Sequence, residues 1–592
     1  MRHGETRDED GDTAVVSPSS GVSRPPSYNC RVTSTPDSLP TSPGWWTLLT
    51  AVNNPRPAWP GALRAALAMG LPAGVALLLG FETEMLLITG GSFAVIYGEG
   101  RPFRTRWRVM VIAGLLLALG QMAGATVGSV VWPQIDAGGS QWWLMLIAVF
   151  ATTVAAVVVF VQNALRLPPP GGFFLVMVSG GASMVAKQGL NPVEVGCWAL
   201  IGAATATAIG MAPALWGRRR PETSAVERLE AAVAAYAASP VPSVAQTHQV
   251  ETQLVSTWNT LFDAGRTRED ELVQRTLAAH VTLARSNPTL SPAPDSYGDV
   301  TDTPNYLDLS RHAVPLPIPT MRYRLFRSLH RYSRATMATA KVTVACLCAG
   351  TVGIAFGFDR PDWSVLSAML VLQWAPERVS GTIRGLHRLI GSVVGVGVFA
   401  VFHLLGVHGW TLLVTLAACQ FCTEIFVVKN YALTVVASTP LALLMGGTIH
   451  LPLGEVIISR WAEIGVATVF SLGVLWLFPR SAAIRHAEML IDRSVDAMGA
   501  LLGALLTTGS AQGALVQRRD LQYELLSERQ AALTVALDSP DFAADNWPQH
   551  LRTQRAGYHV LDACTSAGDR EITAGEVAEL SADVRDARMR RD

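Results

Sequence analysis

Charged residues are scarce in this chain. Only 16% of its 592 residues are Asp, Glu, Lys or Arg, whereas a soluble domain has about 25%. Half of the residues are hydrophobic, so a large part of the chain must contact lipid rather than water. The 46 basic and 46 acidic residues balance, and this balance gives no indication of a nucleic-acid partner.

Cysteine residues and catalytic or metal-binding motifs are also scarce. Five of the seven Cys lie in apolar runs, which predicts small buried hydrophobic residues rather than a disulfide framework. Cys419-x-x-Cys422 has the spacing of a metal site but no second pair. The chain contains no GxxxxGK[ST] loop, and we find no nucleophile motif or metal-ligand cluster on its polar segments. We therefore expect no cofactor, no metal, no direct use of ATP and no enzyme activity.

The chain contains many long apolar runs, and they form two sets of six. Lipid offers no hydrogen-bond partner to the backbone, so such runs are expected to be helical, and about 20 residues cross the bilayer core. The first set is Ala65–Phe81, Met85–Tyr97, Val109–Val131, Trp142–Leu165, Gly171–Ala186 and Val195–Trp216, and the second is Val342–Phe358, Trp363–Trp374, Leu389–Leu405, Val407–Thr423, Tyr431–Gly447 and Ile464–Phe478.

The two sets follow one plan. An offset of 277 residues aligns several identical residues without a gap, namely Gly80 with Gly357, Phe81 with Phe358, Arg101 with Arg378, Thr105 with Thr382 and Gly114 with Gly391. Matches in a fixed order are typical of an internal repeat. We therefore predict an all-α membrane protein of two six-helix transmembrane repeats, about 12 transmembrane helices, with a helical cytoplasmic domain.

The positions of Arg and Lys predict the orientation. The even-numbered linkers and the polar segments carry twenty of the basic residues counted around the spans, whereas the odd-numbered linkers carry three, Lys187, Arg360 and Arg460. Basic residues favour the cytoplasmic side, so both termini and the middle segment are predicted to be cytoplasmic at the plasma membrane. Because six is an even number, the two repeats enter from the same side and are parallel.

The domain boundaries follow from these runs. We predict a disordered tail over 1–43 with no secretory signal, a first membrane unit over 44–217, a helical insert with a Pro-rich linker over 218–340, a second membrane unit over 341–480 and a C-terminal helical segment over 481–592. The spacing Ser224-x-x-Glu227 predicts a capping box at the start of the insert's first helix. The insert and the C-terminal segment are expected to pack together.

The second run of each half is short, and this favours a transport path. Short segments at matching positions of two halves are typical of substrate routes in transporters. The alternative is that Met85–Tyr97 and Trp363–Trp374 are re-entrant or tilted packing helices.

The basic linkers after these runs contain further candidates for the path. Arg101, Arg108, Arg378, Arg384 and Arg388 would concentrate anions at the cytoplasmic mouth, or they would only set the topology. Arg388 lies closest to a Gly-spaced apolar run and is expected to enter the helix, with Arg108 as its nearest counterpart in the first half.

Glu424 is the candidate for proton coupling. It lies at the end of the tenth apolar run, and a carboxylate within a membrane is a functional hypothesis by default. The alternative is an ion pair with Lys429 or with a linker Arg near the cytoplasmic end of the helix.

The second half resembles a known family. Trp363, Gln373, Thr382, Arg388, Gly391 and Gly395, in that order, are similar to the signature of the FUSC family, the fusaric acid resistance and aromatic acid exporter-like membrane proteins. The resemblance covers residues 45–480, with a divergent first half. It implies efflux or conductance of organic anions, often aromatic carboxylates, along a path between the halves, and it adds Gln373 and Trp363 to the candidates.

Three functions are consistent with the sequence. The first is an exporter of organic anions coupled to protons, the second a passive anion channel, and the third a membrane scaffold or sensor that binds a cytosolic partner through its helical domain. Lipid, a small organic anion and protons are the expected partners, and an oligomer remains open.

Overall fold

A computed structural model describes residues 38–40, 43–52, 59–239, 242–267, 269–286, 318–427, 429–567 and 570–589. Most of the tail predicted to be disordered and the Pro-rich linker lie outside the described residues. Within the described residues every regular element is a helix, and the only extended pairing is an isolated bridge between Ser510 and Glu571. The prediction of an all-α protein is confirmed.

The membrane part contains two sets of six helices. A short helix, α1 (Trp45–Thr50), precedes the first set, which is α2 (Trp59–Leu78), α3 (Glu82–Ser92), α4 (Phe103–Asp136), α5 (Leu144–Leu165), α6 (Phe173–Ala182) and α7 (Pro192–Met211).

The remaining helices are numbered onward in chain order. The insert has α8 (Arg220–Ala237), α9 (Val244–Ala264), α10 (Glu271–Arg285) and α11 (Met321–Ser328), and the second set is α12 (Arg334–Ala355), α13 (Pro361–Leu372), α14 (Arg378–Leu404), α15 (Gly409–Val427), α16 (Tyr431–Met445) and α17 (Leu453–Leu477). The C-terminal segment has α18 (Ser481–Thr508), α19 (Leu515–Asp538), α20 (Pro540–Ala567) and α21 (Ala574–Arg588).

Helix length separates the twelve membrane helices into two classes. Eight are long and apolar enough to cross a membrane, and the four shorter ones are α3, α6, α13 and α16, the second and fifth helix of each set. The sequence indicated the short second helices. It did not indicate the short fifth ones, because Gly180-Gly181 and Gly446-Gly447 are apolar enough to continue a hydrophobic run although the α-helices end beside them.

The two sets pack against each other reciprocally. The first helix of each set contacts the fourth helix of the other, so α2 lies on α15 and α12 lies on α5. The short helix α13 also contacts α5 and α6 of the first set. This arrangement is what a duplicated unit would produce, and the repeat itself stays a prediction.

Glycine allows α3 and α7 to touch backbone to backbone. A Cβ placed on Gly91 would lie 1.8 Å from the carbonyl oxygen of Ala199, and one on Gly202 would lie 2.0 Å from that of Ile88. Small residues commonly permit such close helix approach in membranes. The short helix α3 is therefore fixed against a long span.

We predict that Gly91→Ala destabilises the protein by about 1–3 kcal/mol, the usual cost of overpacking a closely packed site. Thermal unfolding in detergent measures the effect. Gly397→Ala is the matched control, since a Cβ on Gly397 of α14 meets no atom within 4 Å. An unchanged melting temperature for Gly91→Ala would contradict the close contact between α3 and α7.

Helices from the insert and from the C-terminal segment form one helical domain beside the membrane part. α9 and α10 pack on α20, and Gln522 Nε2 of α19 donates to Glu251 Oε2 of α9 at 3.3 Å. Burial raises the pKa of Glu251, and the nearby Asp562 acts in the same direction. A neutral carboxyl group is therefore favoured in this interface. The cytoplasmic location of the domain stays a prediction.

The capping box expected at Ser224 is wrong, because α8 begins at Arg220 and residues 224 and 227 lie inside it. The Ser and Gln that do form a capping box are Ser243 and Gln246, at the start of α9.

Candidate functional site

The short helix α13 is the centre of the candidate site. All twelve of its residues, from Pro361 to Leu372, are buried. Pro361 occupies the first turn, where a missing N–H costs no hydrogen bond. Twelve residues at 1.5 Å each give a length of about 18 Å, too short to cross the bilayer core. One cavity is lined by the first residues of α13, and a second lies past its other end, where Pro376 and Glu377 line it. The cavity at the Arg360 end, away from the helical domain, is called the distal cavity, and the cavity at the other end is called the proximal cavity.

The distal cavity has a volume of about 130 Å³ and lies between the two sets of helices. Its walls include residues of all four short helices. Leu86 of α3, Met177 of α6, Leu366 of α13 and Met445 of α16 make it largely apolar, and Gln121 of α4 adds an amide. Ligand sites are commonly apolar pockets with a few polar groups, which fits this composition.

Two ion pairs surround Trp363 at the distal cavity. Arg360 pairs with Asp362 at 3.2 Å, and Arg460 of α17 pairs with Glu463 at 2.6 Å. Arg460 Cζ lies 3.0 Å from the centroid of the Trp363 ring and Arg360 Cζ lies 4.9 Å from it. Both cations therefore face the aromatic ring, an attractive cation–π arrangement.

Two polar groups at this end remain without a hydrogen-bond partner among the described residues. They are the indole Nε1 of Trp363 and Nη2 of Arg460, and both atoms are buried. Buried donors are normally satisfied, so two unsatisfied donors beside an apolar cavity indicate a place where an acceptor, such as a carboxylate, would bind favourably.

Arg388 and Arg384 lie along the middle of α13. Arg388 is 9% exposed, and its Nη2 donates to Ser367 Oγ of α13 at 3.3 Å. Its Nε has no hydrogen-bond partner among the described residues. One turn away, Arg384 Nε donates to the Leu370 carbonyl at 2.8 Å, and its guanidinium lies 3.7 Å from the centroid of the Tyr431 ring. The structure thus places two of the candidate cations, both on α14, against the buried helix α13.

Gln373 marks the proximal end of α13. It is 1% exposed, and its side-chain Oε1 has no hydrogen-bond partner within the described part of the chain. Its carbonyl oxygen accepts a long hydrogen bond of 3.5 Å from Asn163 of α5. An amide therefore faces the boundary between the two sets.

The proximal cavity, about 140 Å³ in volume, lies between the membrane helices and the helical domain. Its lining is strongly basic, with seven cations and three carboxylates. The cations are Arg166, Arg327, Arg334, Lys341, Arg378, Arg480 and Arg493, and the carboxylates are Glu377, Glu524 and Asp538. Low-dielectric walls lined by one sign of charge concentrate ligands of the opposite sign.

Arg101 and Arg108 lie away from α13. Arg101 forms an ion pair of 3.6 Å with Asp263 at the end of α9, so it contacts the helical domain. Arg108 is exposed and lies over the ring of Trp107 at 5.5 Å. The buried cation of this linker is Arg106, which is 5% exposed. A role of Arg101 or Arg108 in the path stays a prediction.

Glu424 is half-buried near the end of α15 and accepts a hydrogen bond from Gln420 Nε2 at 3.1 Å. In the described part of the chain Glu424 forms no ion pair, either with Lys429 or with a linker Arg, the two partners that the alternative interpretation names. The carboxylate therefore remains available for protonation.

Sequence reasoning missed the distal ion pairs. Arg360 and Arg460 were counted only for topology, and Glu463 was not considered. A usable signal existed, because Arg460 and Glu463 stand three residues apart in an apolar helix, a spacing at which helical side chains meet. Nothing in the sequence indicated that this pair lies against Trp363.

The comparisons with known proteins concern part of the chain. Residues 345–474 match the family model described as Fusaric acid resistance protein-like. This segment runs from α12 into α17, and the resemblance to the FUSC family is confirmed there. An uncharacterized membrane protein of Bacillus subtilis (strain 168), YvaC, is 28% identical over 253 residues, which cover 42% of this chain and 39% of that protein. The chain thus aligns with less than half of that relative's length. No solved structure matches the chain.

Proposed function

We propose that this FUSC-type membrane protein transports a small organic anion along α13, between its two sets of helices. The observation that carries the proposal is a fully buried short helix that begins at the distal cavity and ends before the proximal cavity, with Arg388 and Arg384 beside it. An isolated charge in a membrane is costly. The presence of a buried Arg whose guanidinium lacks some of its hydrogen bonds is explained if an anion binds to it during passage.

The shape of the distal cavity supports an aromatic carboxylate as the cargo. Its walls are mainly aliphatic, and Trp363 presents an indole N–H without a partner among the described residues. A flat ring would pack against the apolar walls while its carboxylate accepts from the indole or a nearby guanidinium. Aromatic rings pair favourably with such surfaces.

Export across the plasma membrane follows from the proposed orientation, in which the helical domain is cytoplasmic. One negative charge that moves outward gains about 2.3 kcal/mol per 100 mV of inside-negative potential. Strong coupling to protons is therefore unnecessary, and protonation of Glu424 would only adjust the rate.

Flux from proteoliposomes tests the proposal. The protein is reconstituted with aromatic and aliphatic carboxylates, and the voltage and the pH gradient are set independently. We expect benzoate-like anions to move faster than aliphatic ones and faster than in protein-free vesicles. A steady current that reverses at the anion's equilibrium potential, whatever the pH gradient, would favour the passive channel. Absence of flux for every anion in correctly inserted protein would contradict the proposal.

We predict that Glu424→Gln flattens the pH dependence of transport, because the amide cannot gain or lose a proton. The initial rate of benzoate flux between pH 5 and pH 8 measures this effect. Glu455→Gln removes an exposed carboxylate from the first turn of α17 and serves as the control. A pH profile of Glu424→Gln identical to the wild-type profile would exclude Glu424 from coupling.

A further inference from the structure

Asp538 of the helical domain holds the start of α14. It is the last residue of α19, and its two carboxylate oxygens accept from the backbone N–H groups of Arg378 and Val379 at 2.8 Å and 3.0 Å. These are the first two residues of α14, the helix that carries Arg384 and Arg388. The first N–H groups of a helix have no partner within it and bind anions.

The cavity around Asp538 contains more basic side chains than are needed to neutralise one carboxylate. Of the cations that line the proximal cavity, Arg327 pairs with Glu524 at 3.3 Å and Arg334 pairs with Glu377 at 2.9 Å. The other five form no ion pair in the described part of the chain; they are Arg166, Lys341, Arg378, Arg480 and Arg493. The cavity therefore contains cations that are available to bind a further anion.

His486, which also lines the proximal cavity, reports the same positive potential. Burial lowers the pKa of His486 to about 3, and Arg334, Arg493 and Arg166 act in the same direction. The imidazole is therefore neutral at physiological pH and leaves the anion-binding role to the guanidinium groups.

α19 of the helical domain covers this cavity through contacts with α5 and α14. Arg166, at the end of α5, donates to Ser527 and lies 4.3 Å from the centroid of the Tyr523 ring. Together with the hydrogen bonds that Arg378 and Val379 of α14 donate to Asp538, this contact joins α19 to the membrane helices, whereas the Arg327–Glu524 pair joins α19 to α11 of the insert. An anionic ligand that competes for Arg166 and for the N–H groups of Arg378 and Val379 would displace these contacts of α19 with α5 and α14.

We propose that the proximal cavity is a carboxylate-binding site in which Asp538 occupies the position of the transported carboxylate. The helical domain then acts as a plug that the substrate displaces. This inference rests on the proposed function, because it places the cytoplasmic end of the route at the start of α14. The ligand class is a small organic anion with at least one carboxylate, the same group that Asp538 presents.

The competing explanation is that Asp538 is only a helix cap. A cap and a plug differ in one consequence, because removal of a cap weakens the protein without a gain in flux. Removal of a plug lets the substrate reach the start of α14 more readily. Asp538→Asn keeps one of the two oxygen acceptors but removes the charge that competes with the substrate, so a rise in flux in this variant supports the plug.

The test measures flux and amide hydrogen exchange in the full-length protein, with benzoate as the ligand. Wild type is compared with Asp538→Ala, Asp538→Asn and Asp541→Asn. Asp541 is an exposed carboxylate in the first turn of α20 and controls for the loss of one negative charge. Exchange is followed in peptides that cover residues 374–384 and 530–540.

We expect both Asp538 variants to raise the initial rate of benzoate flux by about tenfold, the scale of one charge-assisted contact, while Asp541→Asn leaves it unchanged. In wild type, benzoate should accelerate exchange in residues 530–540 and leave the start of α14 protected.

Unchanged flux in both Asp538 variants, with exchange in residues 530–540 unaffected by benzoate, would overturn the plug while the proposed transport stands. If no variant moves benzoate but benzoate still releases residues 530–540, the binding site is supported and the proposed transport is wrong.

Discussion

Arg388→Ala is expected to reduce anion transport by about 10- to 100-fold. Arg388 is buried beside the middle of α13, and its Nε has no hydrogen-bond partner among the described residues. A hydrogen bond to a charged group contributes about 1.5–3 kcal/mol, and about 1.4 kcal/mol corresponds to a factor of ten. The initial rate of benzoate flux from proteoliposomes measures the loss.

Two further variants make this result specific. Arg388→Lys retains the charge but not the planar group that binds a carboxylate through two hydrogen bonds, so we expect an intermediate rate. Arg218→Ala removes an exposed cation between α7 and α8, and its rate should stay near that of wild type. Equal rates for Arg388→Ala and wild type, at equal insertion, would exclude Arg388 from the route.

Arg460→Leu is expected to destabilise the protein by about 3–5 kcal/mol, the cost of leaving one partner of a buried ion pair unpaired. Arg460 and Glu463 are 5% and 4% exposed and lie 2.6 Å apart. The substitution also removes the guanidinium from the face of Trp363. Chemical unfolding in detergent, followed by tryptophan fluorescence, measures the change in free energy.

The double variant Arg460→Leu, Glu463→Leu is the control for this prediction. Replacement of both partners of a buried pair by apolar residues is often neutral or stabilising, so we expect most of the lost stability to return. A single variant as stable as wild type would show that the pair does not hold the distal end of α13.

The sequence identified α13 because its signals are local. Pro361 and Pro376 bound a short apolar run, and a helix of that length is set by those residues alone. The sequence also placed Arg388 next to the Gly391 and Gly395 run and within the helix, and the packing of this run explains why Arg388 is buried. A Cβ on Gly391 would lie 2.6 Å from the Ala432 carbonyl oxygen, which is the close packing of α14 on α16 that carries Arg388 inward.

The features that the sequence could not indicate depend on contacts between distant segments. The pair of Arg460 and Glu463 reaches Trp363 only because α17 packs on α13. Asp538 is the last residue of α19, before Ser539 and Pro540, and its position in the sequence explains this end of the helix. Its second role, at the start of α14, joins residues 160 positions apart, and no local pattern encodes such a contact.

The roles of the Arg residues in the basic linkers also depend on contacts between distant segments. Apart from Arg388, the candidate Arg residues of the two linkers could not be distinguished in sequence. In the structure Arg384 and Arg388 lie beside α13, Arg378 lines the proximal cavity and Arg101 contacts the helical domain. Charge alone predicts attraction for anions, whereas burial and partners, which decide the role of each cation, follow from the packing.

Accessibility of position 367 tests most directly whether an anion passes along α13. In a variant without native cysteines, Ser367→Cys is treated with an anionic thiol reagent, with and without benzoate. Val393→Cys, which faces outward from α14 and is 44% exposed, serves as the lipid-facing control. We predict that Ser367→Cys reacts, that benzoate slows the reaction, and that Val393→Cys stays unreactive. A Ser367→Cys protein that transports benzoate but reacts no faster than Val393→Cys would contradict the route.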